Sequence, residues 1–366
     1  MKIIIILFLF FNSVSLCYSA PVISDIAGEN PLIITGTGFQ AKTISAPIIW
    51  DDFEWGTAGN DLDTNPTVSD RWSIHNPGLQ EISTGEPHAG TKSAKWNFYV
   101  TDPYDEQKSF RHVYRDNIAE TQEMYASYWV YTSNNAASVG KYARIQVAPV
   151  YSGNPVASLR GAPVTDHPEL HRLYFDVSND NEDPHWLTPE AYKNNTVATW
   201  HRIEMYFRLS NPPGAANGAA YATINGTYID AFYDNLITRS TGDNRLLTTF
   251  MLGQGLTYPD KSVNIFIDDV YVDNTRARVE IGNAATWSAC THREIQIPVT
   301  WSTTEITATI NQGSFSSVNG KYLFIIDADG IASDGYKIQL QTATISSIGN
   351  VGATIGTGGN VIMEFE

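Results

Sequence analysis

Along most of the chain, short runs of alternating β-branched or aromatic residues are closed by Gly, Asn, Asp or Pro. A period of two over such short stretches is the signature of strands, and helical periodicity is almost absent. Strands are expected at 47–50, 93–99, 124–131, 142–147, 170–177, 200–209, 220–224 and 263–272. Asn225-Gly226, directly after one of them, marks a hairpin turn because both residues tolerate positive φ. The expected fold class is therefore all-β, a sandwich or barrel.

Alternation also sorts side chains into faces. In the 200–209 run, Ile203, Met205, Phe207 and Leu209 belong to the core, leaving Arg202, Glu204, Tyr206 and Arg208 outside. Tyr142, Arg144 and Gln146 separate in the same way from Ala143, Ile145 and Val147. Arg172, Tyr174 and Asp176 lie opposite Leu173, Phe175 and Val177. If the three strands are neighbours, they present one outward face of arginine, tyrosine, glutamine and carboxylate. Arginine forks match carboxylates or sulfates bidentately, and tyrosines stack on sugar rings, so the face suits an anionic glycan. The competing reading is ordinary: long polar side chains cover any exposed antiparallel sheet.

The beginning of the chain changes where this chemistry would act. Lys2, an apolar run from Ile3 to Phe11 and small or polar residues to Ser19 have the layout of a secretory signal peptide over 1–19. Its removal would take Cys17 with it and leave Cys290 as the single cysteine, so an exported chain would hold together without an internal disulfide. The expected location is secreted, cell-surface or periplasmic. No later segment is apolar enough for a transmembrane helix. A net charge of −16 argues against a general nucleic-acid or anionic-membrane binder, which needs a cationic excess to displace counterions. At 366 residues, two domains are the default expectation.

Three places carry a family resemblance in the middle of the chain. They are Asp51-Asp52-Phe53-Glu54, the turn and strand from His88-Ala89-Gly90-Thr91-Lys92-Ser93 to Lys95, and Ile265-Phe266-Ile267-Asp268-Asp269-Val270. With the strand WHRIEMYFRL and its hairpin partner YATINGTYI, residues 46–275 resemble the concanavalin A-like lectin and glucanase superfamily. That resemblance implies a jelly-roll sandwich with a glycan on the outer face of one sheet. Before it, PVISDIAGENPLIITGTGF resembles the opening of an immunoglobulin-like IPT/TIG domain, whose usual V-x-I-G continuation comes only at Val279-Glu280-Ile281-Gly282. The resemblance therefore implies an IPT/TIG-like sandwich made of 21–45 and 276–341, with the larger domain inserted and 342–366 as a C-terminal extension.

The resemblance suggests three functional readings. The first is glycan binding by Tyr142, Arg144, Gln146, Arg172, Tyr174, Arg202, Glu204, Tyr206 and Arg208. The second is a polysaccharide lyase. β-Elimination needs a cation or amide on the uronate carboxylate, a base for the adjacent proton and an acid for the leaving oxygen; Arg144, Gln146, Tyr206 and His171 are the candidates, although alternation puts His171 on the core side. The third is a cell-surface adhesion or structural protein with no site at all. Glycoside hydrolysis is disfavoured, because Glu204 has no carboxylate two or four residues along its strand. The resemblance also implies a structural calcium ion where first and last strands meet, held by Glu54 and Asp268 with Asp52 and Asp269 as further candidates.

Overall fold

The computed structural model describes residues 19–63, 72–75, 80–98, 112–135, 139–147, 155–163, 167, 169–179, 182–187, 193–257, 262–339, 352–355 and 361–364. The leader-like stretch up to residue 18 and most of 342–366 lie outside them, apart from a hairpin of Gly352–Ile355 and Val361–Glu364.

Two antiparallel sheets form the larger unit. Sheet I runs, in spatial order, Thr227–Tyr228, Gly218–Ile224, Trp200–Arg208, Glu123–Thr132, Val263–Asp273, Ser93–Phe98 and Gln80–Ser83. Sheet II runs Glu182–Leu187, Leu170–Asn179, Val156–Pro163, Val139–Val147, Leu247–Thr257, His112–Arg115 and Ser73–His75. The chain repeatedly crosses between them: Glu123–Thr132 is in sheet I, the strands from Val139 to Leu187 are in sheet II, Trp200–Arg208 returns to sheet I, Leu247–Thr257 goes back to sheet II, and Val263–Asp273 closes in sheet I. This is a jelly-roll sandwich. Its core is filled from both inner faces by residues such as Trp96, Tyr128, Ile145, Leu159, Phe175, Met205, Phe207 and Phe250.

Two of the register breaks among the described strands have a consequence for the surface. The pairing of Val139–Val147 with Val156–Pro163 slips between Leu159 and Arg160, leaving Tyr142 as the extra residue. Tyr142 turns into the core, and Lys141 takes the outward position opposite Arg160. In Val263–Asp273 the register shifts between Asp268 and Tyr271. Ile265 and Ile267 are core residues before the shift, and Val270 and Val272 after it. Asp269 sits at this break with φ of 49°, a left-handed conformation uncommon for a non-glycine residue.

A smaller two-sheet unit is built from both ends of the chain. Val22–Ala27 and Leu32–Thr37 pair onward to Glu305–Thr309 and Ile297–Trp301, while Arg293–Ile295, Arg278–Gly282, Tyr322–Ile326 and Tyr336–Lys337 form the second sheet. Leu32, Ile34 and Phe39 share one core with Val279, Ile281, Trp301, Ile306, Leu323 and Ile325. This unit covers the outer face of sheet I: Ile295 packs with Tyr125, Tyr206, Tyr221 and Tyr271. No helix among the described residues is long and apolar enough to cross a membrane.

Candidate functional site

On the outer face of sheet II, the floor residues Arg144, Gln146, Ser158 and Asp176 are themselves buried. Arg144, Ser158 and Asp176 align across three neighbouring strands, and in the next row Lys141, Arg160 and Tyr174 do the same. Arg144 is buried on the floor and its Nε donates to Ser158 Oγ at 3.2 Å, while Gln146 is buried beside it. Arg160 forms an ion pair with the buried Asp176. Burial raises the phenol of Tyr174 above its ordinary pKa, only partly opposed by the neighbouring Arg160 guanidinium, which also hydrogen-bonds it. Arg172 is half-buried on the same face, aligned with Asn194. Lys141, Arg144, Arg160 and Arg172 thus share one sheet face with one tyrosine and one buried carboxylate from these rows.

Of the residues expected to form one glycan face, Arg144, Gln146, Arg172 and Tyr174 do share it. Tyr142 does not, because the bulge directs it into the core. Arg202, Glu204, Tyr206 and Arg208 lie on sheet I instead, so the nine-residue face is corrected to two separate surfaces. Alternation tells which side chains share a side of their own strand; it is silent on which of two packed sheets the strand joins. The side chain of His171 lies outside the described residues, although its backbone pairs with Pro163 and Asn195. Lys141 and Arg160 were missed. A bulge hid the first, and Gly161-Ala162-Pro163 cut short the alternating pattern around the second.

Arg202, Glu204 and Tyr206 are buried, facing the smaller unit, while Arg208 is partly exposed. Arg202 donates to Glu280 at 2.6 Å, to the carbonyl of Arg293 and to Ser127. Arg278 reaches Glu280 at 2.8 Å and Glu204 at 3.2 Å, and Arg293 Nε lies 3.1 Å from Glu280. Tyr125 donates to Glu204 and Trp287 to Glu280. Burial pushes the Glu280 carboxyl up, but Arg202, Arg278 and Arg293 together outweigh it and hold the group well below the usual range. Tyr206 donates to Glu123, and Arg208 donates to the carbonyl of Asn217. This ion cluster joins the two units and offers no open glycan surface.

At the expected calcium position, both carboxylates hold the turn at 88–92. Asp268 accepts from the backbone N–H groups of His88, Ala89 and Asp269. Glu54 accepts from the N–H groups of Thr91 and Lys92 and from the Thr91 hydroxyl, at 2.7–2.8 Å. Gly90, at φ of 62°, passes so close to Glu54 that a Cβ would lie 2.4 Å from its carboxylate. The turn's own donors thus already tie Glu54 and Asp268 to residues 88–92.

A different set of donors converges next to it. His88, Asp269 and Glu294 bring ligand-type atoms within 4.8 Å of one another. A cleft of about 270 Å³, lined by Asp52, Glu54, Asp269, Asn311, Gln312 and Gly313 among others, lies beside them.

No protein-family model matches the chain. No curated protein matches it either. Among solved structures it is similar to the alginate lyase Aly36B in complex with alginate trisaccharide, at 12% identity over 63% of this chain and 99% of that chain, with a TM-score of 0.43. It is similar to Cellulose induced protein, Cip1, at 14% identity over 62% and 97% of the two chains, with a TM-score of 0.41. A marine alginate lyase from Aplysia kurodai gives 11% identity over 60% and 98%, with a TM-score of 0.42.

Proposed function

We propose that the protein binds an anionic polysaccharide across the outer face of sheet II. The observation that carries this reading is the concentration of Lys141, Arg144, Arg160 and Arg172 with Tyr174 and Gln146 on one sheet face of a chain whose net charge is −16. An extended sugar chain could lie across the strands, its acid groups met by guanidinium forks and its rings by the tyrosine. The leader-like first residues support action outside the cytoplasm.

A second reading, β-elimination at the same face, is favoured by the position of Tyr174. Its phenol, protonated at neutral pH as tyrosines ordinarily are, is partly exposed on this face in the row of Arg160, so it could donate to the leaving oxygen. The test is affinity electrophoresis of the parent, Arg160→Ala and Arg172→Ala in gels containing alginate, pectate or a neutral glucan, with unsaturated-product absorbance followed in parallel. Retention by acidic gels alone, weakened in both variants, supports binding; added turnover that is lost in Tyr174→Phe with retention intact promotes the lyase. Equal retention of parent and variants would remove this face.

A further inference from the structure

The junction between the two units holds a second, chemically different cluster on the side of the molecule away from sheet II. His88 comes from the turn before Ser93–Phe98, Asp269 from the bulge in Val263–Asp273, and Glu294 from the strand Arg293–Ile295 of the smaller unit. His88 Nδ1 is 3.0 Å from Asp269 Oδ2, and Nε2 is 3.7 Å from Glu294 Oε1. All three side chains are almost fully buried, with exposures of 3%, 2% and 0%.

From this geometry we propose that His88, Asp269 and Glu294 bind a divalent transition-metal ion of the zinc class, joining the sandwich to the smaller unit. The donor set, one imidazole nitrogen and two carboxylate oxygens, is of the kind that binds such ions at bond lengths of about 2.0–2.2 Å. A tetrahedral ion with those bonds needs ligand atoms about 3.3–3.6 Å apart; His88 can offer the ion only one of its two nitrogens, and the three ligand atoms lie within 4.8 Å of one another, so the side chains must close in by up to about an ångström around the ion.

Charge balance supports the site independently. Asp268, Asp269 and Glu294 are all buried, and among the described residues none of them is ion-paired to a lysine or arginine; Asp269 and Glu294 face the imidazoles of His88 and His292, and Asp268 accepts from backbone N–H groups. The Glu204 and Glu280 pair a short distance away is answered by three arginines. Uncompensated buried carboxylates are costly, and a dication removes that cost. The surroundings also resemble an outer ligand shell. His292 lies 2.7 Å from Glu294, Trp129 Nε1 donates to its other oxygen and the Ser314 N–H donates at 3.0 Å, which fixes the carboxylate's orientation. The cleft lined by Asp52, Glu54 and Asp269 provides a route from solvent.

The proposal is independent of the glycan reading. Its test uses the full chain, stripped with chelator and dialysed against Zn²⁺, Co²⁺, Mn²⁺ or Ca²⁺, with bound metal counted and thermal unfolding recorded. One equivalent of Zn²⁺ or Co²⁺ per chain is expected, with the cobalt form showing the visible absorption of low coordination. Free metal at a hundred times Kd should raise the folding constant about a hundredfold. His88→Gln and Glu294→Gln should lower affinity at least tenfold, and the milder His292→Gln separates loss of a ligand from loss of the fold. Absence of stoichiometric binding would overturn the site. So would equal zinc affinity in folded His88→Gln, or stabilisation by Ca²⁺ alone that is insensitive to His88→Gln and lost in Asp268→Asn.

Discussion

Truncating Glu280 to alanine is expected to cost the fold about 3–5 kcal/mol. Glu280 is fully buried and is met by Arg202 at 2.6 Å, Arg278 at 2.8 Å and Arg293 at 3.1 Å, with Trp287 donating at 2.7 Å. Without it, Glu204 alone would face the three guanidinium groups, leaving buried positive charge uncompensated, and that residual charge rather than the lost contacts sets the magnitude. The pH dependence has a definite sign. Because the folded pKa is depressed, the stabilisation is present above the unfolded carboxylate value near 4.3 and disappears only as pH falls through the lower folded value. Urea unfolding of parent and Glu280→Ala should therefore show the full gap at pH 7 and still at pH 5.5, narrowing only in stronger acid. Glu280→Gln, which keeps the volume and one acceptor, should fall between them. A loss below about 1 kcal/mol in the alanine variant, within the range of exposed pairs, would refute the claim that this carboxylate neutralises the junction.

Three other outcomes follow from the same structure. Asp273 is buried against Lys42, and burial, more than Lys42 can offset, raises its pKa to about 6; its contribution to stability is present below about 3.9 and is lost as pH rises through the folded value, so Asp273→Asn should flatten the stability profile across that window, and an unchanged slope counts against it. Binding of an acidic polysaccharide should weaken steeply between low and physiological salt, since its driving contacts are charge-assisted; salt-independent retention would point to stacking instead. The fragment 46–275 should fold alone, because its core draws only on residues between Ile49 and Val272, yet it should unfold at lower urea than the whole chain once Tyr125, Arg202, Glu204 and Tyr206 lose their cover; an unfolded fragment on circular dichroism would show that the larger unit needs its neighbour.

The fold class was legible because period-two alternation is a local property. Ile203, Met205 and Phe207, or Leu173, Phe175 and Val177, are core residues simply because a half-buried strand requires it. Leu32 and Ile34 from the first stretch and Val279 and Ile281 from the later one meet in a shared core. The site was only half legible. Assigning Arg144 and Arg202 to different sheets depends on long-range pairing, to which alternation is blind. Tyr142 and Lys141 exchanged roles at a bulge that leaves no periodic trace. His88, Asp269 and Glu294 lie far apart in sequence, and only the packing of two units brings them together. Two aspartates in succession inside an otherwise alternating strand were the one local sign that the period breaks there.

The chain passes between the units twice, once across 40–48 and once across 273–277, since Phe39 and Ala277 belong to one core and Ile49 and Val272 to the other. A protease that severs either crossing therefore separates nothing. The remaining crossing still tethers the halves, and the ion cluster around Glu280 holds their orientation. A nicked molecule would run as two pieces after denaturation yet migrate as one particle in solution, whereas two units joined in tandem by one linker would part at the first cut.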